Sequence, residues 1–108
     1  MTRKKSEPKS RPKIEEVLNR GKHYSWSFRC PGCGCSHQMF TVAPHPGGPQ
    51  WKFNGDVNKP TFEPSLRVQW NHGDKSFNCH SYIRDGFIQF LGDCTHKLAG
   101  KTVEMENI

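Results

Sequence analysis

The stretch Phe77–His96, FNCHSYIRDGFIQFLGDCTH, constrains this chain more than any other. Asp85-Gly86 is a two-residue turn of the type I′ kind, flanked by apolar alternation on both sides, and it predicts a β-hairpin. With two residues in the loop, Arg84 faces Phe87, Ile83 faces Ile88 and Ser81 faces Phe90. Continued outward, Cys79 meets Gly92 and Phe77 meets Cys94. Directly opposed residues share a face. Ile83, Ile88, Phe90, Phe77, Cys79 and Cys94 therefore form an inner face, and Arg84, Tyr82, Gln89, His80 and Asp93 an outer one. Two thiols converge on the inner face at the open end of the hairpin.

The rest of the chain reads as more strand. His23–Arg29, HYSWSFR, alternates, with Tyr24, Trp26 and Phe28 on one face. Gln38–Val42 and Gln50–Phe53 are short strands around the loop APHPGGPQ. Pro60 and Pro64 in KPTFEPSL forbid a central strand there. Leu66–Trp70 alternates again, and Asn71–Asp74 reads as a four-residue turn that sets Val68 opposite Phe77 and Leu66 opposite Cys79. Lys101–Met105 is a last strand. Ile14–Arg20, with two glutamates in its first turn and Gly21 to end it, is expected as one short helix. The predicted fold is a small, mainly β, zinc-ribbon-like antiparallel meander spanning residues 14–108. Trp26 and Trp70 fall on its core faces.

The 108 residues suffice for one such domain. No apolar run is long enough to span a membrane and no signal-peptide pattern is present, so a soluble, cytoplasmic protein is expected. The net charge of +6 is concentrated at the start: six basic residues against Glu7 give +5 in residues 1–13. That polar, proline-containing segment is expected to be a disordered basic tail.

Five cysteines in a cytosolic chain point to metal or redox chemistry rather than a disulfide framework. Cys30-Pro-Gly-Cys33-Gly is a tight knuckle between two strands, and two thiolates about 2.3 Å from one Zn²⁺ is its usual use. The hairpin supplies the other half, so Zn²⁺ held by Cys30, Cys33, Cys79 and Cys94 is the expected site. Cys35, His37, His80 and His96 compete for the same positions, with Cys35, His80 and His96 kept as the alternative ligands. C-P-x-C is also a redox form, but no helix follows it and no βαβ pattern surrounds it.

Two kinds of function fit these residues. In the first, the metal is closed by four ligands, and Tyr82, Arg84 and Phe87 on the outer face meet a protein partner. The basic tail then adds salt-sensitive attraction to nucleic acid or acidic protein. In the second, His80, Asp93 and His96 surround an open zinc position and the protein is an enzyme. No H-E-x-x-H or H-x-E motif supports the second reading, and the binding module is the favoured expectation.

The motifs CPGCGC, W-x-F-N-G, KPTFEPSL and CHSYIRDGFIQFLGDCTHKLAG resemble a family of short proteins from tailed phages and prophages. Its members are of unknown function and often carry the label "ammonia monooxygenase". The resemblance covers roughly residues 28–104. It implies a cysteine-rich, zinc-binding β domain with a phage accessory role such as host takeover or anti-defence. In that family the first cluster often reads C-P-C-G-C-G, which makes Cys35 an equivalent of Cys33. A histidine also follows the cysteine that matches Cys79, which keeps His80 among the ligands.

Overall fold

The computed structural model describes residues 11–19, 22–43 and 46–108. The first antiparallel sheet is β1 (Glu15–Asn19), β2 (Lys22–Arg29) and β3 (Ser36–Phe40), in that order. The second runs β4 (Lys52–Phe53), β5 (Phe62–His72), β6 (Lys75–Arg84), β7 (Phe87–Phe90) and β8 (Thr102–Glu104). The mainly β expectation therefore holds, and no helix occurs among the described residues or reaches the length and apolarity needed to cross a membrane.

The segment expected as a helix is strand β1. Its pairing with β2 runs from Glu15↔Ser27 to Asn19↔Lys22. Seven residues with β-branched Ile14 and Val17 hold an isolated helix poorly, whereas β2 offers backbone partners along one edge of the segment. Residues 20 and 21, which include the expected helix stop, lie outside the described residues, as do residues 1–10 of the basic tail. Lys13 belongs to the folded body. Its amide donates to the Val57 carbonyl at 2.8 Å, and its buried ammonium reaches Asn107 and Glu104.

The β6–β7 hairpin forms as its turn chemistry dictates, with Arg84↔Phe87, Ile83↔Ile88 and Ser81↔Phe90. Asp85 and Gly86 both have positive φ, 52° and 81°, as a type I′ turn requires. Gly86 is also pressed on Lys59, whose Cα lies 3.2 Å from where a side chain would start. Past Phe90 the ladder stops. The chain turns at Leu91–Cys94, and Thr95, not Cys94, returns to β6 by donating to the Asn78 carbonyl at 2.9 Å. The expected pairs Cys79/Gly92 and Phe77/Cys94 do not form.

The β5–β6 turn is shorter than expected. His72 pairs with Lys75 across Gly73-Asp74, so Val68 opposes Cys79 and Trp70 opposes Phe77. The register moves by two residues, which preserves every face assignment. β5 also runs through Pro64. The register shifts between Phe62 and Leu66, and a proline is tolerated in such an irregular stretch because no ladder bond is asked of it.

Both sheets contribute to one core. Phe28, Cys30 and Met39 from the first join Phe62, Leu66, Cys79, Ile83, Ile88, Phe90 and Cys94 from the second. Phe53 stacks on Phe62 with ring centroids 4.7 Å apart and meets Trp26 at 5.1 Å, which ties the sheets together. Burying each of Phe28, Phe62 and Phe90 contributes about 2–3 kcal/mol. Trp26 packs at the edge of this core. Trp70, expected inside, lies beyond it: it stacks on Phe77 at 5.3 Å and stays 37 % exposed, because the β5–β6 arm outruns the layer that would cover it. The side chain of Tyr24 lies outside the described residues.

Candidate metal centre and serine site

Strands β2 and β3 leave the first sheet joined by the knuckle, and β6 passes beneath it. Cys33 donates its amide to Cys30 Sγ at 3.4 Å, and Gly34 donates to the Cys30 carbonyl at 2.9 Å. Cys30 Sγ lies 3.8 Å from Cys79 Sγ. Two sulfurs bound about 2.3 Å from one tetrahedral Zn²⁺ would stand roughly 3.8 Å apart. The ligand atoms of Cys30, Cys33, His37 and Cys79 all fall within 4.8 Å of one another. His37 comes from β3 and is buried, with an Nε2 that has no hydrogen-bond partner among the described residues.

The thiols are electrostatically interdependent. A hydrogen bond from Cys79 is the main cause that brings Cys30 down to about 4, against the upward push of burial. The same bond, with burial and the Cys30 charge, raises Cys79. Burial, then the Cys30 charge, pushes Cys33 up to about 12. One thiolate forms readily; the next two need a cation beside them. This donor set fits a divalent metal, which is gained together with proton release.

Cys94 and His96 form a second group that overlaps the first at Cys79. His96 Nδ1 accepts the Leu98 amide at 3.2 Å. In the neutral ring this leaves the proton on Nε2, 3.5 Å from Cys79 Sγ, where it supports a thiolate as a donor. The ring lies flat against Gly32, in the space any larger residue would fill. Cys94 Sγ accepts the His80 amide at 3.3 Å and donates to the His80 carbonyl at 3.2 Å. Cys35 is exposed and stands outside both groups.

The opposite face of the second sheet carries a different constellation. Ser65 Oγ lies 3.1 Å from His80 Nε2, and His80 Nδ1 lies 3.2 Å from Asp93 Oδ2. An ionised Asp93 accepts from Nδ1–H, which leaves Nε2 as the acceptor for the serine hydroxyl. The hairpin pattern predicts His80 on the outer face and the strand pleat puts it there, away from the thiols among which the family resemblance kept it as a ligand. Cys79 faces the thiols and His80 faces Ser65. His96 does not join His80 and Asp93.

Asp93 is held in place by more than the imidazole. Asn78 Nδ2 donates to its carbonyl at 2.9 Å and to Oδ2 at 3.2 Å, and Arg67 Nε donates to Asn78 Oδ1 at 3.0 Å. Thr95 locks Asn78 in turn, since its Oγ1 accepts the Asn78 amide at 3.0 Å. Partial desolvation raises the Asp93 carboxyl, but the hydrogen bonds from His80, its own amide and Asn78 together with the His80 charge prevail, and the net shift is downward.

Sequence reasoning misses Ser65 and Asn78, and names His37 only among the competitors for the second half of the metal site. A signal for Ser65 exists: by pleat parity Ser65 and Arg67 share the face of His80, and Arg67 pairs with His80 directly. His37 lies seven residues beyond Cys30, outside the usual knuckle spacing, so nothing local ranks it above the other competing ligands. The expected partner residues Tyr82, Arg84 and Phe87 do lie together on the outer face. The Arg84 guanidinium sits 4.2 Å over the Tyr82 ring and donates to Gln89 Oε1 at 3.2 Å.

A family model described as BubE, bacterial ubiquitination-like system serine protease, matches residues 3–91, and the chain belongs to that family. The match does not bear on the phage origin that the motif resemblance implies. No curated protein and no solved structure matches the chain.

Proposed function

We propose that this member of the BubE family is a serine peptidase of a bacterial ubiquitination-like system, with Ser65 as nucleophile, His80 as general base and Asp93 as the acid that orients it. The hydrogen-bonded run Ser65–His80–Asp93 is the observation that carries this reading, and the family description supports it. His80 Nε2 takes the Ser65 proton as Oγ attacks the scissile carbonyl. Asp93 stabilises the imidazolium that forms. The proton then passes to the leaving amine, and water, deprotonated by the same nitrogen, hydrolyses the acyl-serine. The side chain of Asp93 is 47 % exposed and that of His80 23 %, so water reaches the dyad for the second half-reaction.

The thiol cluster belongs to the scaffold in this reading. Cys30, Cys33, Cys79 and His37 would hold a Zn²⁺, which supplies a cross-link between the two sheets where the apolar core is small. Cys94 then serves His80 and not the metal. The free thiols of all five cysteines suit a reducing, cytoplasmic setting.

A fluorophosphonate probe tests the assignment. Mass spectrometry should find the adduct on Ser65, with labelling abolished by Ser65→Ala and strongly slowed by His80→Ala. Labelling elsewhere, or none on folded protein, sinks the proposal.

A further inference from the structure

Ser65 opens onto a surface that the catalytic residues do not themselves use. On β6, His80, Tyr82 and Arg84 alternate onto one face, and β7 adds Gln89 opposite Tyr82 and Phe87 opposite Arg84. Phe62 pairs with Ile83 and Leu66 with Ser81, so the irregular stretch Glu63–Pro64–Ser65 lies across from Tyr82 alone. The nucleophile and this patch are therefore neighbours on one sheet face. Arg84 is already fixed in place, stacked on Tyr82 and bonded to Gln89, so little rotamer freedom is left to lose on binding. Phe87 stands 46 % exposed beside it. At about 3.3 Å per residue along a strand, Arg84 and Phe87 are two or three residues of extended chain from Ser65.

The edge of β5 is open at the same place. On the side of β5 away from β6, β4 covers only Phe62 and Glu63, and among the described residues no strand lies on that side from Ser65 to His72. Trp51 Nε1 donates to the Ser65 carbonyl at 3.3 Å and holds the start of that edge. A cleft of about 470 Å³ adjoins it, lined by Gln50, Trp51, Lys52, Glu63 and Pro64. An extended backbone can pair with such an edge while its side chains reach the flanking pockets.

We infer that Tyr82, Arg84 and Phe87 form the substrate-recognition surface of the Ser65 site, and that the substrate is an extended polypeptide with an acidic side chain placed on Arg84 and an apolar one against Phe87. The inference rests on the peptidase reading. It differs from a generic sticky patch because it specifies a fixed distance, two or three residues, between the recognised side chains and the bond that is cut. Small esters of the same acyl chemistry have no atoms that reach this patch.

The test uses the full chain, a mass-spectrometric digest of a proteome-derived peptide library, and p-nitrophenyl acetate as the small ester. The parent should cut peptides that carry an acidic residue two or three positions from the cleaved bond. Arg84→Glu should reverse that preference toward basic residues, and Phe87→Ser should lower kcat/KM for the best peptide at least tenfold. Both side chains are exposed, and both variants should keep the parent's ester turnover and its Ser65 fluorophosphonate labelling. Unchanged peptide preference in a labelled Arg84→Glu protein overturns this inference and leaves the peptidase standing. A labelled parent that cuts no peptide in the library does the same. A parent that takes no label loses the peptidase reading, and the recognition surface falls with it.

Discussion

Cys94 grips His80 at both ends of its backbone: the thiol accepts the His80 amide at 3.3 Å and donates to the His80 carbonyl at 3.2 Å. Cys94 follows Asp93 in sequence and His80 follows Cys79. The two members of the His–Asp pair are thus each covalently next to a cysteine on the opposite side of the sheet. The thiol group and the Ser65–His80–Asp93 run therefore share two dipeptides, Cys79-His80 and Asp93-Cys94, and a disturbance on one face is expected to reach the other.

This arrangement separates two roles for Cys94 experimentally. As a clamp, Cys94→Ser should keep the metal content of the parent, because a hydroxyl still accepts and donates at His80. Cys94→Ala should also keep the metal but lower kcat by roughly 10-fold as His80 loses its anchor. Metal analysis of the two purified variants decides it. Loss of metal from both would make Cys94 a ligand, as the hairpin pattern in the sequence suggests.

Removing the metal ligands should act on the fold. Cys30→Ser, Cys79→Ser or chelation should lower Tm by roughly 10–20 °C, since binding that occurs only in the folded state adds directly to stability. His37→Ala should reduce the metal stoichiometry without touching Ser65. An unchanged melting curve after chelation, with no metal in the purified protein, would refute the centre.

Ser65→Ala should lower turnover by about 10³–10⁶-fold with little change in Tm, because Ser65 is only half-buried and its side chain gives up a single bond, to His80. Circular dichroism melting beside peptide or ester assays is the measurement. A small activity loss would move the nucleophile elsewhere.

Asn78 positions Asp93 and should shape the acid limb of the pH profile. The folded Asp93 pKa is lowered, so its stabilising contribution is present above the unfolded value and is lost as pH falls through the folded one. Asn78→Ala removes one bond that favours the carboxylate and a second that holds the Asp93 carbonyl. The Asp93 pKa should rise toward its ordinary value, and the acid limb of kcat/KM should move to higher pH. Asn78→Asp should not restore the parent profile, because a second carboxylate repels Asp93. A pH-independent loss of kcat in Asn78→Ala would mean that the residue is merely structural.

What was legible in the sequence is what local chemistry enforces. Asp85-Gly86 demands positive φ at both positions, so the β6–β7 register follows from two residues. Pleat parity then sorts Cys79 from His80, Tyr82 and Arg84, and it survives even the misread turn at Gly73-Asp74, because a two-residue slip keeps every face. The knuckle at Cys30–Cys33 is equally local. Tertiary structure decided the rest. Ile14–Arg20 became a strand because β2 offered it a backbone partner. His37 reaches the sulfurs because β3 folds back from the knuckle. Pleat parity puts Ser65 on the face of His80, but the contact itself is set by the irregular stretch around Pro64. The turn at Leu91–Cys94 then sets Asp93 on the imidazole and swings Cys94 onto the His80 backbone. Such contacts depend on loop paths and side-chain directions over long separations, and residue spacing alone carries no term for either.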